Sequence, residues 1–321
     1  MQEIIKRAKE LLTNHAVERV LGWKRQDLPY DPEPAFFTTV ESLDDLVYDG
    51  FCGANLSKYM IAAGKEEGKT LVFLKPCDTY SYNQLLKEYR VERENAYIIG
   101  LDCKGTLSVE AMHAQGAKGI LSVEEKEDQV LVHTLYGDHV MDYDKVVLER
   151  CSVCKGSRHM VYDELMETGR RLTNTPGNRF VQIEAIEAMS PNERFAFWQE
   201  ELSKCIRCNA CRNVCPACSC NQCVFDSSKF DTASKVNADS FEEKMFHLIR
   251  AFHVAGRCTD CGECSRVCPQ GIPLHLLNRK LIKDINEFYG PFQAGEENDS
   301  PSPLTSYRLE DVEPGAVGKR G

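Results

Sequence analysis

The first fifteen residues, MQEIIKRAKELLTNH, have the spacing of an amphipathic, mostly polar helix. Between residues 70 and 150 the rhythm changes, and short apolar runs alternate with helical stretches. Thr70-Leu-Val-Phe-Leu74 reads as a buried strand, Tyr80 to Tyr89 as a helix and Ala96-Tyr-Ile-Ile-Gly-Leu101 as a second strand. A helix near Val109 to Gln115 follows. Gln129-Val-Leu-Val-His-Thr-Leu135 alternates like a half-exposed strand, and Lys145-Val-Val-Leu148 reads as one more. Strand–helix–strand order predicts a small α/β sheet with mostly parallel pairs. Further on, the pattern is helical from Ser190-Pro191 to Lys204. It is helical again from Asp239 to Gly256, where Phe241, Met245, Leu248, Ile249 and Phe252 recur at helical spacing. Asp239 or Ser240 would cap that helix and Gly256 would end it. From about Gly295 the chain is polar and rich in Pro and Gly, as expected of an extended arm able to wrap a partner. The expected organisation is an α/β domain over 1–185, a mainly α-helical domain over 186–290 and a tail over 291–321.

Composition fits this division. A chain of 321 residues with 42 % hydrophobic residues can build two ordinary cores. The net charge of −10 argues against a nucleic-acid partner. No stretch approaches the roughly 20 apolar residues of a membrane span. The N-terminus has no apolar core of a signal peptide, so a cytoplasmic location is expected. The feature that changes the picture is the cysteine count of 16. A chain of this size does not need disulfides to fold, and without an export signal its thiols point to metal ligation.

Eleven of the sixteen lie between Cys205 and Cys268, and eight of these fall in two runs of one pattern. Cys205-Ile-Arg-Cys208-Asn-Ala-Cys211-Arg-Asn-Val-Cys215-Pro216 is matched by Cys258-Thr-Asp-Cys261-Gly-Glu-Cys264-Ser-Arg-Val-Cys268-Pro269. Both read C-x2-C-x2-C-x3-C-P, the bacterial ferredoxin spacing. Three closely spaced thiolates wrap one face of a 4Fe-4S cluster, and the fourth points away to the other cluster. One centre should therefore take Cys205, Cys208, Cys211 and Cys268, and the other Cys258, Cys261, Cys264 and Cys215. Zinc knuckles use paired C-x2-C with a longer gap, not tandem runs each ending in proline. A helix precedes each loop, so the rear half resembles the helical dicluster ferredoxins more than the compact β-hairpin type. His247 and His253 fall in the second of those helices, where packed or polar positions are expected more than ligation.

In the front half, Cys77 follows the first strand, Cys103 the second, and Cys151-Ser-Val-Cys154 the last. Strand ends on one edge of a parallel sheet are where ligands bind. The spacing alone allows a third 4Fe-4S site or unrelated thiols. Three segments carry a resemblance: Gly68-Lys-Thr-Leu-Val-Phe-Leu-Lys-Pro-Cys-Asp78, Ile98-Ile-Gly-Leu-Asp-Cys-Lys-Gly-Thr-Leu-Ser108 and Cys151-Ser-Val-Cys154. Over roughly residues 45–165 the chain resembles the beta-subunit family of coenzyme F-420 hydrogenases and formate dehydrogenases. The resemblance implies that Cys77, Cys103, Cys151 and Cys154 hold a cluster, with Cys52 a competing candidate. Family members that reduce the deazaflavin are longer here and hold FAD. This shorter domain has no Gly-rich phosphate loop. Lys75, Asp78 and Lys104 lie nearest this site in sequence and would otherwise be solvated loop residues.

Four thiols are left: Cys52, Cys218, Cys220 and Cys223. They could serve a fourth cluster, a zinc site, a substitute for Cys215, or no metal. Lys204, Arg207, Arg212, Arg257 and Arg266 stand beside the cluster cysteines. They could favour the more negative, reduced clusters or form a basic docking rim. The expectation is an iron–sulfur electron-transfer subunit of an anaerobic oxidoreductase. It would work with catalytic and flavoprotein subunits of a formate dehydrogenase, hydrogenase or heterodisulfide-reductase-like complex, or with a ferredoxin. The alternative is a subunit that itself holds FAD and reduces a deazaflavin or other hydride carrier. A third is a zinc scaffold.

Overall fold

The computed structural model describes residues 1–156, 158–169, 177–226, 240–299 and 301–306. Helix α1 (Gln2–Thr13) buries Ile4, Ala8, Leu11 and Leu12, which share one helical face. Strands β1 (Arg19–Lys24), β2 (Glu33–Phe37), β3 (Leu46–Val47), β4 (Thr70–Leu74) and β5 (Ala96–Leu101) follow. They build a sheet in the order β2-β1-β4-β5, with β3 also on β1. The β1–β4 and β4–β5 pairs are parallel, and β2 and β3 run antiparallel to β1. All five residues of β4 are buried, which is why its pattern is a continuous apolar run.

The return from β4 to β5 is helix α2 (Pro76–Lys87). It starts four residues before the expected Tyr80. Pro76 suits a first helical turn, and buried Thr79, Ser81 and Asn83 hide the period. Helix α3 (Val109–Ala114) is capped by the Ser108 hydroxyl, which accepts from the Ala111 N–H at 3.1 Å. Strands β6 (Ile120–Lys126), β7 (Gln129–Thr134) and β8 (Gly137–Asp142) form a separate antiparallel meander over Met112, Ile120, Val130, Val132 and Met141. The Gln129–Leu135 segment is thus a strand, but in a sheet of its own. The expected strand at Lys145–Leu148 is instead a helical turn, Tyr143–Val146, with one bridge from Val147 to Leu107. The loop before α3 takes its backbone groups: Ser108 N–H donates to Val146 O, and Leu148 N–H to Thr106 O. A short strand, β9 (Glu164–Met166), completes the first sheet beside β5, parallel to it. Glu164 accepts from Arg7 of α1 and from the Tyr97 hydroxyl.

The rear half is helical: α4 (Val181–Glu187), α5 (Pro191–Ser203), α6 (Ser240–His253) and α7 (Leu274–Tyr289). Ser190 and Glu193 form a reciprocal capping box at the start of α5. The expected Asp239 cap of α6 lies outside the described residues. Gly256, just beyond the helix, is left-handed with φ +70°. The apolar stripe Met245, Leu248 and Phe252 faces outward, whereas Phe246, His247, Arg250 and Ala251 are buried. Leu202, Phe225, Phe246, Ile272 and Leu274 pack with Cys211 and Cys264 in one core.

The two halves are tied together. Arg257 pairs with Glu88, Ser81 and Thr259 share a 2.7 Å hydrogen bond, and Arg150 pairs with Glu263 at 2.9 Å. The arm after α7 lies on its own chain as far as residue 306. Gly295 (φ +76°) passes so close to α2 that a Cβ there would sit 1.8 Å from Tyr80 O.

Candidate metal centres

The two ferredoxin-type runs fold alike. Arg207 and Asn209 in the first, and Asp260 and Gly262 in the second, are all left-handed, with φ between 53° and 68°. These are the third and fifth residues of each run. Left-handed residues alternating with right-handed ones turn successive N–H groups into a concavity that suits an anion. A single helical turn then delivers the third cysteine of each run: Ala210–Asn213 carries Cys211 and Glu263–Arg266 carries Cys264. Cys205, Cys208, Cys211 and Cys268 line one cavity of about 320 Å³, closed by Phe246, His247, Ile272 and Leu274. The fourth thiol comes from the other run, as the spacing predicts. The Arg207 N–H points at Cys205 Sγ at 3.3 Å.

Cys215, Cys258, Cys261 and Cys264 form the second group. Cys215 lies within electrostatic reach of the other three, and packs with Cys258 about Val254.

Cys77, Cys103, Cys151 and Cys154 line a third cavity, of about 470 Å³. Cys77 stands in the first turn of α2 and Cys103 just past β5, so two thiols come from the strand-end edge. The other pair differs from expectation: it follows the helical turn at 143–146, and Cys151 sits in a one-turn helix, Glu149–Ser152. Three N–H groups point at these sulfurs: Gly105 to Cys103 and Thr106 to Cys151, both at 3.4 Å, and Gly156 to Cys154 at 3.3 Å. A Cβ on Gly156 would stand 3.0 Å from Cys77 N and 3.3 Å from Cys154 Sγ, inside the cradle. Cys261 of the second group also lines this cavity.

Among the described residues, no three or more His, Cys, Asp or Glu side chains converge on one ion-sized point. The thiols instead line the walls of the cavities, with N–H groups turned to the sulfurs. Burial pushes the thiols of Cys154 and Cys258 up to about 12, that of Cys211 to about 11, and those of Cys77 and Cys261 well up. They stay neutral until a metal displaces their protons.

The cations nearest the thiols differ from those singled out by sequence. Lys204, Arg212, Arg257 and Arg266 are bridged by Glu201, Asp226, Glu88 and Glu263, and Arg207 lies over the Phe246 ring at 4.0 Å. Lys75, one of the residues nearest this site in sequence, is 3 % exposed, pairs with buried Asp78 at 2.8 Å and lines the third cavity. Its Nζ also donates to Ala54 O and lies over Trp23. Lys104 rests on the Tyr143 ring. Arg150 donates to Cys261 O and Lys155 to Thr259 O, tying the third site to the second loop. Sequence reasoning missed Arg250, which is 2 % exposed and lies against Cys264, Cys211, Cys215 and Cys218. It sits on the buried polar face of a helix whose apolar positions suggested the opposite orientation. His247 is 1 % exposed, and burial with Arg250 nearby pushes its ring down to about 3. His253 is exposed.

The remaining thiols are not gathered into one site. Cys52 lies in the front core, with its Sγ directed to Val47 O and Asp49. Cys218 hydrogen-bonds Cys215. Cys220 is exposed, and Cys223 lies beside Arg212.

Comparison with known proteins agrees with this geometry. Residues 201–272 match the family model of the 4Fe-4S dicluster domain. The chain is thus an iron–sulfur electron-transfer protein whose rear half carries a dicluster domain. Its relatives over nearly the whole length are beta subunits of F-420-dependent formate dehydrogenases. That of Methanocaldococcus jannaschii is 23 % identical over 91 % of each chain. That of formate dehydrogenase 1 of Methanococcus maripaludis is 24 % identical over 92 % of this chain and 91 % of its own. A chain of the F-420-reducing NiFe hydrogenase complex of Methanosarcina barkeri aligns with a TM-score of 0.36 and 17 % identity, over 48 % of this chain and 62 % of its own.

Proposed function

We propose that the chain is a three-centre electron relay in a cytoplasmic formate-dehydrogenase- or hydrogenase-type complex. The front domain (1–185) would hold one 4Fe-4S cluster on Cys77, Cys103, Cys151 and Cys154. The rear domain (186–290) would hold two, on Cys205, Cys208, Cys211 and Cys268, and on Cys215, Cys258, Cys261 and Cys264. The described part of the tail (291–321) would strap the two domains, with Gly295 against Tyr80 in front and Ser302 against Gly256 behind. The clusters supply one-electron transfer and make no bond to substrate. The protein's own groups do the rest: thiols hold, N–H groups and buried cations favour the added electron, and apolar walls exclude water.

The observation that carries this reading is the continuity of the three thiol groups. Cys211 of the first lies within electrostatic reach of Cys264 of the second, and Cys261 of the second lines the third cavity. The second centre therefore sits in the middle. Electrons would pass between a partner's flavin or metal site and another carrier, and the whole-length relatives support formate dehydrogenase as the type of complex. No described helix is long and apolar enough to cross a membrane.

The alternative is a front domain that itself holds FAD. The strand-end edge of the front sheet carries Lys75, Cys77 and Cys103, and thiols there suit a cluster. Iron, sulfide and flavin counts on anaerobically purified protein test the reading. About 12 irons per chain, at four per cluster, with matching sulfide and no flavin are expected. About 8 irons would remove the front centre and about 16 would add one on the remaining thiols. Stoichiometric FAD would favour the alternative. Zinc without acid-labile sulfide would overturn both.

A further inference from the structure

Helix α6 presents two buried polar side chains to the rear thiol groups, each with nitrogen atoms that lack a hydrogen-bond partner among the described residues. His247 is 1 % exposed and lines the cavity of Cys205, Cys208, Cys211 and Cys268. Both of its ring nitrogens lack a hydrogen-bond partner among the described residues. A neutral imidazole always carries one N–H, and a buried donor needs an acceptor. Arg250, one turn on, is 2 % exposed, and its Nε and Nη1 also lack partners. Its guanidinium, always charged, has a hydrogen bond to Cys264 and lies within electrostatic reach of Cys211, Cys215 and Cys218. Arg212, Arg257 and Arg266 each have a carboxylate. Arg250 faces sulfur.

We infer that α6 sets the potentials of the rear pair: His247 donates its ring N–H to sulfur of the first centre alone, and Arg250 sets one buried positive charge against both. This rests on the reading that the rear domain holds two clusters. A donor or positive charge beside a cluster stabilises the more negative, reduced form. His247 therefore separates the two centres in potential, while Arg250 raises them together. Both are positioning residues that act on the cluster through hydrogen bonding and charge.

The test is a potentiometric titration of the full-length, cluster-loaded protein followed by EPR, with iron and sulfide counted on each sample. In His247→Leu, one rear signal should become harder to reduce by about tenfold in its one-electron equilibrium, equal to about 59 mV. The other should stay in place. His247→Gln, which restores a donor, should recover most of the shift. An exchangeable-proton coupling seen by ENDOR in the parent should vanish in His247→Leu and return in His247→Gln. In Arg250→Met both rear signals should fall, and Arg250→Lys should hold them near the parent values. Unshifted signals at full iron content overturn the inference and leave the relay reading standing. So does loss of four irons in both His247 variants, because that marks His247 as scaffold. If Arg250→Met loses iron, Arg250→Lys decides: rear signals that fall by about tenfold or more in their one-electron equilibria although the charge is kept overturn the role of the charge. A parent protein without rear iron overturns the relay reading first.

Discussion

Replacing Glu263 by Ala should loosen the joint between the front domain and the second ferredoxin-type loop. Glu263 is 1 % exposed and accepts from Arg150 Nη1 at 2.9 Å, from Arg266 Nε at 2.8 Å and from Arg266 Nη2 at 2.9 Å. Burial works against its charge, and Arg266 and Arg150 overcome that and hold the carboxyl at about 2. Deletion leaves two guanidinium groups uncompensated. The Arg150 side chain is 10 % exposed and that of Arg266 is 28 % exposed, so water relieves only the second. Removing one partner of a buried pair costs about 3–5 kcal/mol, and the lower end applies here, which is about 6–12 °C in a melting transition. The assay is thermal unfolding of the loaded protein, read by fluorescence and by bleaching of the cluster absorbance. Glu263→Gln should fall between, since it keeps an acceptor and loses the charge. Asp142→Ala, which removes an exposed and solvent-screened partner of Lys145, should leave the melting transition where it is in the parent. A Glu263→Ala protein that melts within 2 °C or so of the parent with full iron would refute the claim that this carboxylate joins the domains.

Serine at Cys77, Cys103, Cys151 or Cys154 should each remove about four irons per chain and the same EPR signal, whereas Cys52→Ser should leave the iron count intact. Gly156→Ala should lower iron at that same centre, because the added methyl enters the cradle beside Cys154 Sγ. Glu164 is held below its ordinary 4.5 first by the hydrogen bond from Arg7, then by that from Tyr97, although burial works the other way. Its contribution is present in full above 4.5 and is lost as pH falls through its lowered value. Hydrogen exchange in Glu164–Met166 should therefore rise on acidification, and Glu164→Gln should remove that pH step. Gly295→Ala cannot keep both its left-handed backbone and its approach to Tyr80, so limited proteolysis should cut the arm at 290–306 sooner than in the parent.

The thiol pattern was the most legible part of the chain. Ligand spacing in a cluster loop is a local property, so the two C-x2-C-x2-C-x3-C-P runs indicated which thiols would meet, including the crossover of Cys268 to the first cavity. Strands β4 and β5 were legible for the same reason: buried parallel strands are continuous apolar runs. What escaped depended on tertiary context. The segment 145–148 carries the adjacent valines Val146 and Val147, but its carbonyl and N–H groups are claimed by the loop before α3. Short β9 has no pattern of its own and is held by Arg7 and Tyr97 from far along the chain. On α6 the apolar stripe pointed to the wrong face, because the rear core accommodates His247 and Arg250 beside the thiols while Met245, Leu248 and Phe252 stay outside. Lys75 and Asp78 looked like loop residues because a buried ion pair cannot be told from a solvated one by type alone.

The crossing of cysteines between the two matching loops bears on how the protein matures. The wall of the first rear chamber stays incomplete until Cys268 has been synthesised, and the second chamber lacks Cys258, Cys261 and Cys264 until nearly the same moment. Cys77, Cys103, Cys151 and Cys154 of the front chamber are all made by residue 154. On a ribosome the front ligands therefore emerge more than a hundred residues before the rear set is complete. A truncated chain ending before Cys258 has no complete rear chamber at all, so the rear pair is assembled late and as a unit.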